Sequence, residues 1–290
     1  MKIKTVTAAA IAVASTAGIA AASEYDLRYA DAYALAVGGD GGEVYSIGAS
    51  GAYERNSVTL GGSGFYITDD DGDYTYGLLG YGAYEFPTQA IGFGGLILLG
   101  DDSTGDAFGF VGGQFPVGTT WDAGLTAVFD DDTQTYIAFA GTDIGTDGHA
   151  LGMVVFGDDG IDTTFIGQVE WTRGTDDYGI LASIGEDDFF GIIADWEREI
   201  EGMSRGRDMR YGLSGVYTDF GGGDESFTVS ASLGIELQDN VWLEGSLGYG
   251  EDGGDDSLIW SLGVDFELGR RGETYQRVQD IEFTGLDLAF

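Results

Sequence analysis

Three groups of residues in this sequence have types and spacings that can do chemistry. Asp69, Asp70, Asp71 and Asp73 stand together in the stretch TDDDGD. Calcium takes roughly six to eight hard oxygens, and a short acidic loop supplies them. No flanking helices or closing glutamate of an EF-hand accompany this loop. Solvated surface charge is the first expectation, and weak calcium binding the second. His149 is the only histidine and follows Asp147-Gly148. A catalytic histidine needs a nucleophile or an acid beside it, and no G-x-S-x-G serine motif stands near. A turn histidine is expected, and no enzyme. The chain has no cysteine, which removes disulfides and thiolate metal sites. The third group is larger. Asp26, Arg28, Glu85, Asp122, Glu170, Asp195, Glu197, Arg210, Glu236, Glu244, Asp265 and Glu267 each alternate with apolar or aromatic neighbours.

Alternation of that kind belongs to β-strands, whose successive side chains point to opposite faces. Residues 241–268 show it most clearly. Val241, Leu243, Gly245, Leu247 and Tyr249 share one face. After the turn GEDGGDD, Leu258, Trp260, Leu262, Val264, Phe266 and Leu268 share it again. Glu244, Ser246, Ser261, Gly263, Asp265 and Glu267 take the other face. A connector of glycine and acid is turn chemistry, so this is an antiparallel hairpin.

The same unit recurs along the chain. Leu27, Tyr29, Tyr33, Leu35 and Val37 begin it, with Asp31 on the wrong face and a β-bulge as one option. Tyr45 to Tyr53, Val58 to Ile67 and Tyr74 to Phe86 follow. Ile91 to Leu99 and Ala107 to Phe115 are the fifth and sixth runs, and their phase slips. Trp121, Leu125 and Phe129 mark the seventh run, Ile137 and Phe139 the eighth, and Leu151, Met153 and Val155 the ninth, all assigned to the apolar outer face. Phe165 to Trp171, Tyr178 to Ile184 and Phe190 to Trp196 come next. Then EIEGMSRGRDM is expected to be the longest inner connector, with Arg198, Arg205, Arg207 and Arg210 clustered around it. Two more runs precede the last hairpin. The connectors alternate in kind. The odd ones are rich in Asp, Glu and Gly and hold no basic residue, whereas the even ones carry arginine. An up-and-down barrel sorts its connectors to two sides in this way.

The ends differ from the middle. Residues 1–22 combine a basic start, a small-residue apolar stretch and Ala20-Ala21-Ala22, the pattern of a secretory signal peptide. Lys2 and Lys4 are the only lysines. Formal net charge is −38, the wrong sign for a nucleic-acid partner. Past residue 22 no apolar run is long enough for a membrane-spanning helix, so any membrane span must be a closed barrel. Residues 23–268 form that barrel, and 269–290 are a tail or terminal strand ending in Phe290.

Signal peptide, alternating strands, aromatic strand edges, acidic odd connectors and terminal Phe290 together resemble a Gram-negative outer-membrane β-barrel of the porin type. The low lysine and high acid content resemble porins of some α-proteobacteria. The resemblance implies an all-β, up-and-down antiparallel transmembrane barrel of about 16 strands (an even number, 14 to 16). It implies location in the outer membrane, with lipid and lipopolysaccharide as surroundings. It also implies the barrel-assembly machinery as a partner, with Leu286, Leu288 and Phe290 matching its C-terminal signal, and a homotrimer. Passive transport of small hydrophilic solutes follows, with no cofactor. The alternating acids Asp26, Glu85, Asp122, Glu170, Asp195, Glu236, Glu244 and Asp265, with Arg28 and Arg210, would line the pore. An acidic wall favours cations. Interior Gly, Ala and Ser favour an open lumen. The alternatives are a structural barrel without an open pore and a secreted calcium-binding β-protein. A calcium-binding repeat protein would show a nine-residue period, and the hairpin spacing here is about 30 residues.

Overall fold

The computed structural model describes residues 26–39, 42–101, 103–129, 134–157, 163–185, 189–204, 207–221, 225–252, 255–269 and 275. The expected signal peptide, Arg205 and the C-terminal assembly signal lie outside these residues, as does the side chain of Glu267. The strands are β1 (Asp26–Gly39), β2 (Gly42–Arg55), β3 (Val58–Asp69), β4 (Tyr74–Glu85), β5 (Ile91–Asp101), β6 (Gly105–Val117), β7 (Trp121–Phe129) and β8 (Gln134–Ile144). They continue as β9 (Gly148–Gly157), β10 (Thr164–Arg173), β11 (Asp176–Ile184), β12 (Phe190–Ser204), β13 (Arg207–Asp219), β14 (Glu225–Gln238), β15 (Val241–Asp252) and β16 (Asp255–Gly269). Each pairs antiparallel with its chain neighbours, and β1 pairs with β16, so the sheet closes as a 16-stranded up-and-down barrel. Closure removes the free edges that lipid cannot satisfy.

Register assigns every strand residue to a face, because directly opposed residues share one. Leu78, Leu96, Leu247 and Leu258 fall on the outer face and are 50–65% exposed. Aromatic pairs gather on that face at both ends. Near the odd connectors Tyr66 stacks on Tyr74, Tyr136 on Phe156, and Phe227 packs against Tyr249. Near the even connectors Trp171 stacks on Tyr178 at 5.0 Å, and Trp196 meets Tyr211 edge-on at 5.4 Å. Two aromatic belts flanking an apolar band match the two interfaces of a bilayer. The even connectors are tight turns built on a left-handed residue, such as Asn56, Gln89, Gly145, Gly174 and Asn240.

Two expectations about faces are corrected. In β1 the register slips between Leu27 and Tyr29, placing a bulge at Arg28. Beyond it the phase inverts. Asp31, Tyr33, Leu35 and Val37 face inward, opposite Ser50, Gly48, Ser46 and Val44, while Ala30 to Ala36 on the even positions face out. Asp31 therefore accepts a hydrogen bond from Ser50 Oγ at 2.8 Å. In β8 and β9 the residues Ile137, Phe139, Leu151, Met153 and Val155 face inward, since they oppose Thr126, Gly124, Gln168, Ile166 and Thr164. Small residues such as Ala138, Ala140, Ala150 and Gly152 take the outer face. The larger apolar side chain was assigned to lipid, but here it packs inside.

Inward aromatic rings lie across glycines of the next strand. A Cβ at Gly61 would fall 2.3 Å from the Tyr81 ring, and one at Gly124 would fall 2.4 Å from the Phe139 ring. Gly124→Val is therefore expected to destabilise the barrel by about 1–3 kcal/mol through overpacking. Outward Gly152, where a Cβ meets nothing within 4 Å, is the neutral counterpart. Urea midpoints of the two variants in detergent check this.

Candidate functional site in the barrel interior

The interior has two unlike walls. From β4 to β9 the inward face is apolar and buried, built on Leu79, Tyr81, Ile97, Phe110, Phe139 and Met153. Strand β5 reads IGFGGLILLGD, apolar on both phases, and such runs are the signature of strands buried on both sides. Tyr275, which follows the last strand, belongs to this wall. It is 1% exposed, stacks on Phe93 at 5.2 Å and meets Tyr81 edge-on at 6.2 Å. A small cavity beside it is lined by Arg28, Glu54, Thr59, Glu85 and Ile91.

The opposite wall, from β10 round to β2, is hydroxylic and acidic. Ser214 meets Ser230, and Ser246 meets Ser261, through hydroxyl contacts of 2.7 and 2.6 Å. Arg210 is the charged centre of this wall. Its side chain is 10% exposed and is surrounded by three carboxylates. Nε donates to Glu244 and lies 3.7 Å from Glu197, and Nη2 donates to Asp265 at 3.0 Å. The guanidinium also lies over the Trp242 ring, 4.6 Å from its centroid. Three acids around one base leave the cluster net negative. Only a planar guanidinium serves Glu244, Asp265 and an aromatic face together.

By register, nine of the ten residues expected to line the pore face the interior, and Arg28, in the bulge, reaches Glu54 on the same side, but the ten do not form one site. Arg28 sits in the β1 bulge and donates to Glu54 Oε2 at 2.5 Å, with Asp26 opposite Glu54 in register. Glu85 lies near this pair. Arg210, Glu244 and Asp265 form the cluster just described. Glu170 and Asp195 share a row across β10, β11 and β12, separated by Gly179. Asp122 opposes Gly141 at the even-connector end of β7. Glu236 accepts from the Asn240 amide at 3.2 Å and is spent on a turn.

Of the expected arginine cluster, Arg198 and Arg210 face opposite sides of the sheet, and Arg205 lies outside the described residues. Residues 199–209 are largely strand, because β12 runs to Ser204 and β13 starts at Arg207, with an irregular register from Ile200 to Ser204. Arg198 falls on the outer face. It makes a two-pronged pair with Asp176, 2.6 Å on each arm, joined by Trp196 Nε1 at 2.9 Å.

The acidic loop is committed to its own turn. Asp69 Oδ1 accepts from the Gly72 and Asp73 amides at 2.8 and 3.0 Å, and Asp70 Oδ1 accepts from the Glu43 amide at 3.0 Å. Among the described residues no group of three or more acidic or histidine side chains is arranged to hold a metal ion. His149, expected at a turn, is the second residue of β9, just past the 145–147 turn. It lies inside the barrel, 9% exposed, with Nδ1 3.1 Å from Asp143 Oδ1.

A closed 16-stranded barrel with an apolar outside, aromatic belts and a charged inside is the architecture of porin-type outer-membrane barrels, and it fits the outer membrane of a Gram-negative bacterium. No protein-family model and no characterised protein sequence matches the chain. Solved structures do match in fold. OprB of Pseudomonas putida at low pH is similar with a TM-score of 0.58 and 8% identity, covering 88% of this chain and 96% of that one. A BenF-like porin from Pseudomonas fluorescens has a TM-score of 0.54 at 9% identity, covering 85% and 99%. The outer membrane protein OpdK of Pseudomonas aeruginosa has a TM-score of 0.51 at 10% identity, covering 83% and 98%.

Proposed function

We propose that the protein is a diffusion channel of the Gram-negative outer membrane that passes small hydrophilic solutes and prefers cations. The observation that carries this reading is the acidic wall from β10 to β2, where the buried Arg210 is outnumbered by Glu197, Glu244 and Asp265. A water-filled path with net negative walls concentrates cations and repels anions. No reaction step belongs to this role. Refolded protein in a planar bilayer under a potassium chloride gradient should show channel events, with a reversal potential of the cation-selective sign. An anion-selective sign would remove the preference, and a silent bilayer would remove the channel.

A second reading is a structural barrel with its interior filled. The observation favouring it is the apolar wall of β4 to β9, capped by Tyr275 at 1% exposure. The same recording separates the two, because this reading expects no conductance.

A further inference from the structure

Charge is sorted along the outer face of the barrel. Asp219, Glu225 and Glu251 lie on that face near the odd connectors, opposed to outward Phe190 and Phe227 or to each other. The described arginines all lie toward the other end. Arg28 and Arg210 are engaged by the interior acids Glu54, Glu244 and Asp265. Arg55, Arg173 and Arg198 face outward, and Arg207 opens β13 at the same end. The even connectors are the tight turns, which in barrels of this class lie in the periplasm. The outward arginines therefore meet the leaflet built of phospholipid, not the one built of lipopolysaccharide.

Two rows on β10, β11 and β12 give this end its shape. Trp171, Tyr178 and Trp196 oppose one another directly and belong to the aromatic belt. Two residues nearer the turns, Arg173, Asp176 and Arg198 oppose one another in the same way. At about 3.4 Å per residue, the charged row lies about 7 Å farther along the strands than the rings. Belt aromatics sit at the membrane–water interface, so the row beyond them lies among lipid phosphates.

The charged row is held in place. Arg198 lays two arms on Asp176 at 2.6 Å, and Trp196 Nε1 donates to the same carboxylate at 2.9 Å. The guanidinium also lies 5.8 Å from the centre of the Trp196 ring. The Asp176 side chain is 13% exposed, whereas that of Arg198 is 41% exposed. Arg173, on the other side of Asp176, is exposed as well. Two bases and one covered acid leave the row net positive, in a chain whose formal charge is −38.

A guanidinium fork matches phosphate oxygens in geometry and charge. We propose that Arg173 and Arg198 bind the phosphate of an anionic phospholipid, of the phosphatidylglycerol class, in the periplasmic leaflet. The rings of Trp171, Tyr178 and Trp196 lie against its glycerol and upper acyl chains. Asp176 has two roles here. It holds Arg198 in place, and it lowers the charge the lipid meets. A lipid fits better than a soluble anion, because the charged row continues into an apolar belt that acyl chains cover.

The test is tryptophan quenching of the full mature chain in phosphatidylcholine vesicles, doped with brominated phosphatidylglycerol or, at equal mole fraction, brominated phosphatidylcholine. A Trp121→Phe/Trp260→Phe background leaves Trp171 and Trp196 as the lipid-facing reporters. Brominated phosphatidylglycerol should associate about fivefold more strongly, the effect of one arginine near an anionic surface. Arg173→Gln, which leaves the Asp176 pair intact, should abolish that preference. Asp176→Asn, checked for heat-modifiable migration, should raise it. Arg55→Gln, on a distant strand, should leave it unchanged. Equal quenching by the two lipids would overturn the site, as would an unaltered preference in Arg173→Gln. An equal loss in Arg55→Gln would reduce the site to diffuse charge and overturn it too. Displacement by soluble glycerol phosphate would overturn the lipid as its occupant.

Discussion

Arg210→Met lowers the stability of the barrel by about 3 kcal/mol, the largest single-side-chain effect expected here. Breaking a buried ion pair by removing one partner costs about 3–5 kcal/mol, because the remaining charge is left desolvated and unpaired. The lower end applies, since Glu197, Glu244 and Asp265 keep 21–39% of their side-chain surface exposed. Loss of the base also leaves like charges facing each other across β12, β15 and β16. Urea unfolding in detergent, followed by heat-modifiable migration, reads the effect. Arg210→Lys should fall between, because an ammonium keeps the charge but loses the fork and the flat stacking on Trp242. Arg210→Met combined with Glu244→Gln and Asp265→Asn should recover most of the loss. If Arg210→Met unfolds at the wild-type midpoint, the network has no structural role. In a bilayer the same variant should move the reversal potential further toward the cation value.

A chain ending at Gly269 conducts more than the full chain, and Tyr275→Ala moves in the same direction. Tyr275 is held between Phe93 and Tyr81 on the inner wall, so its ring occupies space a solute would cross. Burial of one aromatic side chain and its ring contacts contribute about 3 kcal/mol, roughly a hundredfold in the docked population. Single-channel conductance of both forms at fixed salt is the measurement. Equal conductance of the truncated and full chains would show that Tyr275 decorates the wall without narrowing the path. Truncation also removes Leu286, Leu288 and Phe290, so refolding from urea, rather than export, is the route to the protein.

The alternation of apolar and polar residues carried most of this fold. In β10, β11 and β13 to β16 most large apolar residues face lipid and most small or charged ones face inward, with Trp242 and Leu181 among the exceptions, so phase assigned both faces. The strand count and the antiparallel order followed from turns rich in Gly, Asp and Asn. The reading failed where its premise failed. In β8 and β9 both faces are apolar, and size was taken as the guide to lipid, although Phe139 and Met153 face inward and Phe139 lies across Gly124. In β1 one extra residue at Arg28 inverted the phase, and only misplaced Asp31 betrayed it. The acids share the inner face by register, but their grouping was not legible in the sequence. Glu170 and Asp195 are neighbours only because Gly179 stands between them in register, and Arg210 reaches Asp265 across two strands. His149 looked like a turn residue because Asp147-Gly148 precedes it. Its burial depends on strands β8 and β10, which local sequence does not reveal.

Fifteen of the sixteen strand pairings join neighbours in the chain, and the pairing of Tyr29 with Gly269 joins its ends. The hairpins can form locally, each closing a short loop. The β1–β16 seam has to wait for everything between, and its entropic cost grows with the logarithm of that length. Before the seam forms, β1 and β16 are open edges in a hydrocarbon that offers them no partner. Assembly therefore has one late, all-or-none step, and the Arg28 bulge lies beside it. A closure in the wrong phase would turn Asp31 and Asp265 toward lipid, so the seam also acts as a proofreading step for the whole ring.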